Sequence, residues 1–344
     1  MDGEDHGFFS SKSFWAPEII DPPLPEVIFM VEEKEEDGIT PTGAGGGEEG
    51  SSEGAAAAPP QPVPIPSATV LNPKGKAAQS PSQPPLKFIQ GTINDGGMAE
   101  ARRRWGITNR WRQEQDVDNI LTIPQPDFDA IKEHYPHFCC GRAKCGSVCY
   151  YERCGDINIT ALKHRGIDVG DLIRYYIFMM EYTWNVQCPE EDGPRSKMVS
   201  IFDVKGIQLT DFAGDALQFL KTAIATTSAH YPERAVNIVI INAPWIFSSI
   251  WGLVKGMVPP ATQIKVRIAA EGEQTTEVMR ELIDPDQIPE EYGGTFRPGN
   301  APGTDGTYCR YHSEQETAFR KFVHGLNQGL SPSQPSQHTL HAIG

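Results

Sequence analysis

None of the common phosphate-loop or hydrolase signatures occurs in this chain of 344 residues. There is no G-x-G-x-x-G after a strand, because Gly43 to Gly47 lie in a low-complexity stretch. G-x-x-x-x-G-K-[ST], G-x-S-x-G and H-E-x-x-H are also missing. Nucleotide binding through a standard phosphate loop is thereby unsupported. No nucleophile and base can be named, so the chain is expected not to be an enzyme and to need no cofactor. Positive charge is scarce too: 30 Lys and Arg stand against 45 Asp and Glu, for a formal charge of −15. That excess argues against nucleic acid as a partner, since non-specific binding is driven by phosphate neutralisation. The start, MDGEDHGFF, has no basic region followed by an apolar run, and it predicts no secretory signal. Seven cysteines cannot all pair, and a reducing, cytosolic setting with free thiols is the expectation. The cluster CCGRAKCGSVCYYERC raises the question of zinc, but Cys149 falls inside a predicted strand. There a free cysteine serves as a small apolar filler, and no metal is expected.

A membrane-spanning helix is also missing, although one stretch imitates it. The window from Val236 to Val254 is apolar enough, yet Asn237, Asn242, Pro244 and Ser248-Ser249 interrupt it. In lipid, each backbone group must be satisfied within one helix, and a proline eight residues in breaks that ladder. The better parse is a buried strand from Val236 to Ile241, a tight turn at Asn242-Ala243-Pro244, and a helix to about Val258. On that helix Ile246, Phe247, Ile250, Trp251, Leu253, Val254, Met257 and Val258 spread over about 160°, wider than the ~100° that core packing needs. A contact beyond the ordinary core is expected along it.

Residues 1–85 carry fourteen acidic residues against Lys12, Lys34, Lys74 and Lys76, a charge of −10 that leaves −5 for the rest. Glu/Asp runs, GAGGGEEG, AAAAPPQPVPIP and QSPSQPP cannot build a packed core, so this segment reads as a disordered acidic and Pro/Gly-rich tail. Phe8-Phe9 behind Asp2, Glu4 and Asp5 weakly resemble a two-Phe motif that binds receptors at endoplasmic-reticulum contact sites; chance aromatics are the simpler reading. Residues 86–125 read as a short helical subdomain, with one helix from about Gly97 to Asp118. Residues 126–300 read as the main domain, and 301–344 as an extension ending in low complexity. From Val148 onward, strands at Val148–Glu152, Met198–Val204, Val236–Ile241 and Ile264–Ala269 alternate with helices near Asp168–Gln187, Thr210–Ala229 and Pro244–Val258. That alternation predicts an α/β fold with a mostly parallel sheet and right-handed crossovers.

Seven local signatures then occur in order. They are Trp111-Arg112; Tyr135-Pro136; CYYER with Gly155; IFDVKGI with Asp203 and Gly206; YPER from Tyr231 to Arg234, followed by IINAPWIF; PPATQIKV; and IPEEYGG ending at Gly294. On these residues, from Leu86 to about Phe296, the chain resembles the CRAL-TRIO lipid-binding family, close to the secretory-pathway phosphatidylinositol transfer proteins. The resemblance implies a floor of β-strands under a cavity for a single lipid. It also implies a helical gate within Pro244–Val258, with Phe247, Ile250, Trp251, Val254 and Phe202 at the gate and pocket. Carried over by motif, Glu233, Thr262 and Lys265 read a phosphatidylinositol headgroup, while Gln208, Thr210 and Tyr150 are further ligand contacts. Asp203 and Arg234 are expected to organise the sheet ends.

Departures from the family pattern leave the ligand open. LKFIQGTI replaces LRFLRARKF, so Thr92 and Ile93 stand where an Arg-Lys pair is usual. Gln208 and Thr210 stand where phosphatidylcholine binders tend to have two hydroxyls, and Cys139 replaces an aromatic. The leading expectation is a carrier of one phospholipid, phosphatidylinositol favoured, that is cytoplasmic and touches membrane surfaces transiently. The alternatives are a lipid-sensing adaptor that recruits a protein partner through its N-terminal tail, and a carrier of a tocopherol- or retinoid-like ligand.

Overall fold

The computed structural model describes residues 83–297 and 313–330. The expected tail, apart from residues 83–85, and the last residues of the C-terminal extension lie outside the described residues. The helices are α1 (Leu86–Gln90), α2 (Gly97–Glu114), α3 (Phe128–His134), α4 (Ile159–His164), α5 (Val169–Tyr182), α6 (Gly214–His230), α7 (Phe247–Val254), α8 (Pro260–Gln263), α9 (Glu273–Leu282) and α10 (Glu314–Asn327). The strands are β1 (His137–Arg142), β2 (Val148–Arg153), β3 (Met198–Asp203), β4 (Ala235–Ala243) and β5 (Val266–Ala270).

The strands form one sheet in the order β1-β2-β3-β4-β5; β1 runs antiparallel to β2 and the other pairs are parallel. The α/β reading and the parallel sheet hold. β1, α9 and α10 are additions that the sequence reading lacked. Three helices end early: α2 stops at Glu114 rather than Asp118, α5 passes at Thr183 into a π-helical turn, and α7 gives way to a 3-10 turn at Lys255–Met257. The stretch that imitated a membrane span is β4, a turn and α7. Among the described residues no helix is long and apolar enough to cross a membrane.

Local chemistry fixes these boundaries. Asp168 caps α5 by accepting from the Asp171 amide, and Asp171 returns the bond to the Asp168 amide, which satisfies donors that a helix start leaves unpaired. Asn242 turns the chain out of β4 with φ +55, a left-handed conformation that Asn tolerates better than most residues. Its side chain donates to Asp203 at 2.9 Å, and Tyr292 donates to the other Asp203 oxygen at 3.2 Å. Asp203 thus organises one sheet end, as expected. Gly155, a motif glycine, lies so close to the Lys205 carbonyl that a Cβ there would overlap it.

Strand alternation sorts the core into two layers. Cys149, Tyr151, Val199, Ile201, Val239 and Ile241 face one side and pack under Val278 and Met279 of α9. Tyr150, Glu152, Phe202, Ile238, Ile240, Val266 and Ile268 share the other side by register. The helical subdomain is tied to that side. Trp111 stacks on His230 at 3.8 Å, and Arg112 grips Glu181 with contacts of 2.7 and 3.2 Å.

α10 is anchored by a buried ion pair. Lys132 Nζ lies 2.8 Å from Glu316 Oε1, with side chains 2% and 1% exposed, and also donates to the His137 carbonyl at 2.8 Å. Burial lowers the Lys132 pKa, and Glu316 opposes that shift. Breaking such a pair from one side strands a charge in a poor solvent. Glu316→Ala is expected to lower unfolding free energy by about 3–5 kcal/mol in urea titrations. Adding Lys132→Met should recover part of that loss, and equal losses for the single and double variants would contradict the pairing.

Candidate functional site

The residues singled out by sequence separate into an interior group and two ends. At the start of β4 and β5, Glu233 Oε2 meets Lys265 Nζ at 3.3 Å, with side chains 27% and 24% exposed. Glu233 sits at φ +55, and the Lys265 amide donates to the Thr262 carbonyl at 3.0 Å. The Ile238 amide donates to the Lys265 carbonyl at 2.9 Å, which fixes that lysine to the neighbouring strand. Glu233, Thr262 and Lys265 therefore share one end of the sheet.

Gln208 and Thr210 do not join them. Both are exposed beyond the carboxyl end of β3, beside the 3-10 turn Leu209–Phe212. The parallel strands run from one group toward the other, and the six residues of β3 alone span about 20 Å.

Tyr150 lies inside. Its hydroxyl donates to Glu152 Oε2 at 2.9 Å, and the Tyr135 hydroxyl donates to the same oxygen at 2.8 Å. Glu152, Cys154, Tyr176 and Tyr231 are only half-buried by exposed surface. Yet desolvation is the largest influence on each and pushes all four pKa values up. Phe202, half-buried, packs against both neighbouring clusters: the one under α5 and α6, and the one under α7. Ile238, Val266 and Ile268 beside it are half-buried as well. These half-buried side chains share the face of the sheet away from α9. A separate crevice under α10, lined by Lys132, Cys139, Tyr150, Gln187 and Glu316 among others, has room for about one water molecule.

The expected gate residues divide between buried and exposed positions. Phe247, Ile250 and Trp251 of α7 are buried against Val204, Ile207 and Ile240, with Val254 half-buried at the edge. Trp245 is 87% and Leu253 58% exposed. The wide apolar arc therefore divides into a side packed on the sheet and a side facing outward.

The CRAL/TRIO domain family matches residues 132–294. The chain carries a CRAL/TRIO domain. It is 27% identical over 250 residues to "Phosphatidylinositol/phosphatidylcholine transfer protein SFH4" of Arabidopsis thaliana, covering 66% of this chain and 40% of that protein. It is 26% identical over 211 residues to "Sec14 cytosolic factor" of Schizosaccharomyces pombe, covering 60% and 72%. The chain spans about two fifths of the length of the first plant relatives it matches. A solved structure, "Crystal structure of Sfh5", is similar in fold with a TM-score of 0.50 at 17% identity, over 68% of this chain and 78% of that one. The CRAL/TRIO domain takes in β1 to β5, α7, and the Glu233–Lys265 pair.

Glu152 was missing from the sequence reading although its motif, CYYER, was singled out. The available signal was alternation: two residues from Tyr150 on one strand, it shares that tyrosine's face. Its carboxyl is raised because desolvation outweighs the hydrogen bonds from Tyr135 and Tyr150. A raised carboxyl holds its proton more tightly folded than unfolded. Its stabilising contribution is present below the unfolded value of about 4.3 and lost as pH rises through the folded value. Glu152→Gln cannot lose it. The melting-temperature difference between variant and parent should move in the variant's favour from pH 4 to pH 8. A difference that stays constant across that range would contradict the raised carboxyl.

Proposed function

We propose that the chain binds one membrane phospholipid, phosphatidylinositol by preference, and carries or presents it at cytosolic membrane faces. The observation that carries this reading is an apolar strand face left half-buried, with the Glu233–Lys265 pair at one end. The names of the plant and yeast relatives point the same way.

Magnitudes explain why such a site suits exchange. Each buried methylene contributes about 0.8 kcal/mol relative to water, so a two-chain lipid strongly prefers any dry site. The bilayer offers the same gain, which leaves transfer between protein and membrane nearly balanced. Headgroup contacts then decide which lipid is kept. Lys265 supplies a cation for phosphate oxygens, and Glu233 accepts from inositol hydroxyls while holding Lys265 in place. Trp245 and Leu253, outward and exposed on the lid segment, supply apolar side chains for a brief contact with the bilayer.

Transfer between vesicles tests the assignment. Lys265→Ala with Glu233→Ala is expected to lower phosphatidylinositol transfer about tenfold or more, since hydrogen bonds to charged groups are worth roughly 1.5–3 kcal/mol. Phosphatidylcholine transfer should stay within about twofold. Equal loss for both lipids would mean that the pair supports the fold. Extraction of a tocopherol- or retinoid-like molecule in place of phospholipid would contradict the headgroup reading.

A further inference from the structure

Among the described residues two lysines are almost fully buried, and they are treated differently. Lys132 has a carboxylate at 2.8 Å and a backbone carbonyl besides. Lys87, 5% exposed on α1, has neither. Among the described residues its hydrogen-bond partner is the neutral amide oxygen of Gln90, at 3.3 Å. The same amide donates to exposed Asp192 at 3.0 Å, so Gln90 spans the surface over the lysine.

Charges of both signs surround Lys87. Its amine is lowered to about 8, by burial first and then by Arg234 and Lys197, with Asp192 and Glu233 pulling the other way. Glu233 is already held by Lys265, and Asp192 by Gln90. Arg234 donates to the Ser196 carbonyl at 2.9 Å and lies over the Trp184 ring at 4.5 Å. A covered ammonium whose hydrogen-bond partner among the described residues is a neutral amide oxygen at 3.3 Å stores unfavourable energy that an anion relieves.

The place is specific. α1 rests on the turn that presents Glu233: a Cβ on Gly91 would lie 3.4 Å from Pro232 Cβ and 3.5 Å from Glu233 Cγ. Lys87, one turn earlier on the same helix, is therefore set beside the Glu233–Lys265 pair. We propose that Lys87, flanked by Lys197 and Arg234, forms an anion subsite for a phosphomonoester on an inositol ring whose other groups meet Glu233 and Lys265. The inference rests on the headgroup role proposed above for that pair. A phosphomonoester carries about −1.5 to −2 charges at pH 7 and three strong acceptor oxygens, enough to answer several cations where one carboxylate would not. Gln90 gives way as the phosphate takes its position.

The test uses the full chain and phosphatidylcholine vesicles containing phosphatidylinositol or, in turn, its 3-, 4- or 5-monophosphate. The parent chain should take up at least one monophosphate, and Lys87→Met should lower that uptake about tenfold or more. Phosphatidylinositol uptake should stay within about twofold, and Lys87→Arg should retain most of the monophosphate uptake. Equal loss of both lipids, no loss of either, or a parent chain that takes phosphatidylinositol but no monophosphate would each overturn the subsite. Should the parent take up neither lipid, the headgroup reading fails, and calorimetry with soluble inositol bisphosphates judges the subsite alone. Binding that Lys87→Met abolishes then supports a free inositol phosphate as the source, and no binding overturns the proposal.

Discussion

Apolar strand surface left uncovered costs about 25 cal/mol per Å2, and in most folds a central strand never bears that cost on its core side. Here β4 lies between β3 and β5, and yet Ile238 is half-buried, as are Val266 and Ile268 on its neighbour. The connection from β4 to β5 passes through α7 and α8 and covers part of that face, Ile240 included. Cover at one end and half-buried strand at the other are set by a single crossover. Whatever covers the rest of that face must be apolar along the strands and polar at their start, where Glu233 and Lys265 meet.

The polar side chains fit that division. On the half-buried face, Glu152 is held by two tyrosine hydroxyls, and burial pushes its carboxyl up. At the sheet end, Lys265, Lys87, Lys197 and Arg234 gather with the carboxylates of Glu233 and Asp192. An apolar strand face with charged groups at one end is what an amphiphile with an anionic head requires, and that complementarity joins the two proposals above.

Much of this could be read in the chain. VNIVII gave β4, Pro244 gave its end, and YPER with T-x-x-K brought Glu233, Thr262 and Lys265 to one sheet end. What escaped did so for physical reasons. β1, HFCCGR, has few β-branched residues and borrows its order from β2 and from the Ser313 hydroxyl that donates to the Cys139 carbonyl. α9 sets Val278, Met279 and Leu282 against the sheet, but it is only ten residues long and follows the last strand, where the reading of alternating elements stopped. α10 does space Phe319, Val323 and Leu326 as a helix face, but its anchor is the distant Lys132, which no local pattern announces. Lys87 resembles any solvated helix lysine until Pro232 and Glu233 are folded against its helix. Gln208 and Thr210 were grouped with Glu233 by motif order, although the parallel strands carry them to the opposite end.

The central claim is that the half-buried β3–β5 face is built to be covered by one lipid. Native mass spectrometry of the purified full chain, before and after incubation with mixed phospholipid vesicles, addresses it directly. The account predicts a species heavier than the chain by one lipid, present on purification or acquired from the vesicles. A chain that keeps its bare mass through both conditions, while remaining folded, would contradict it.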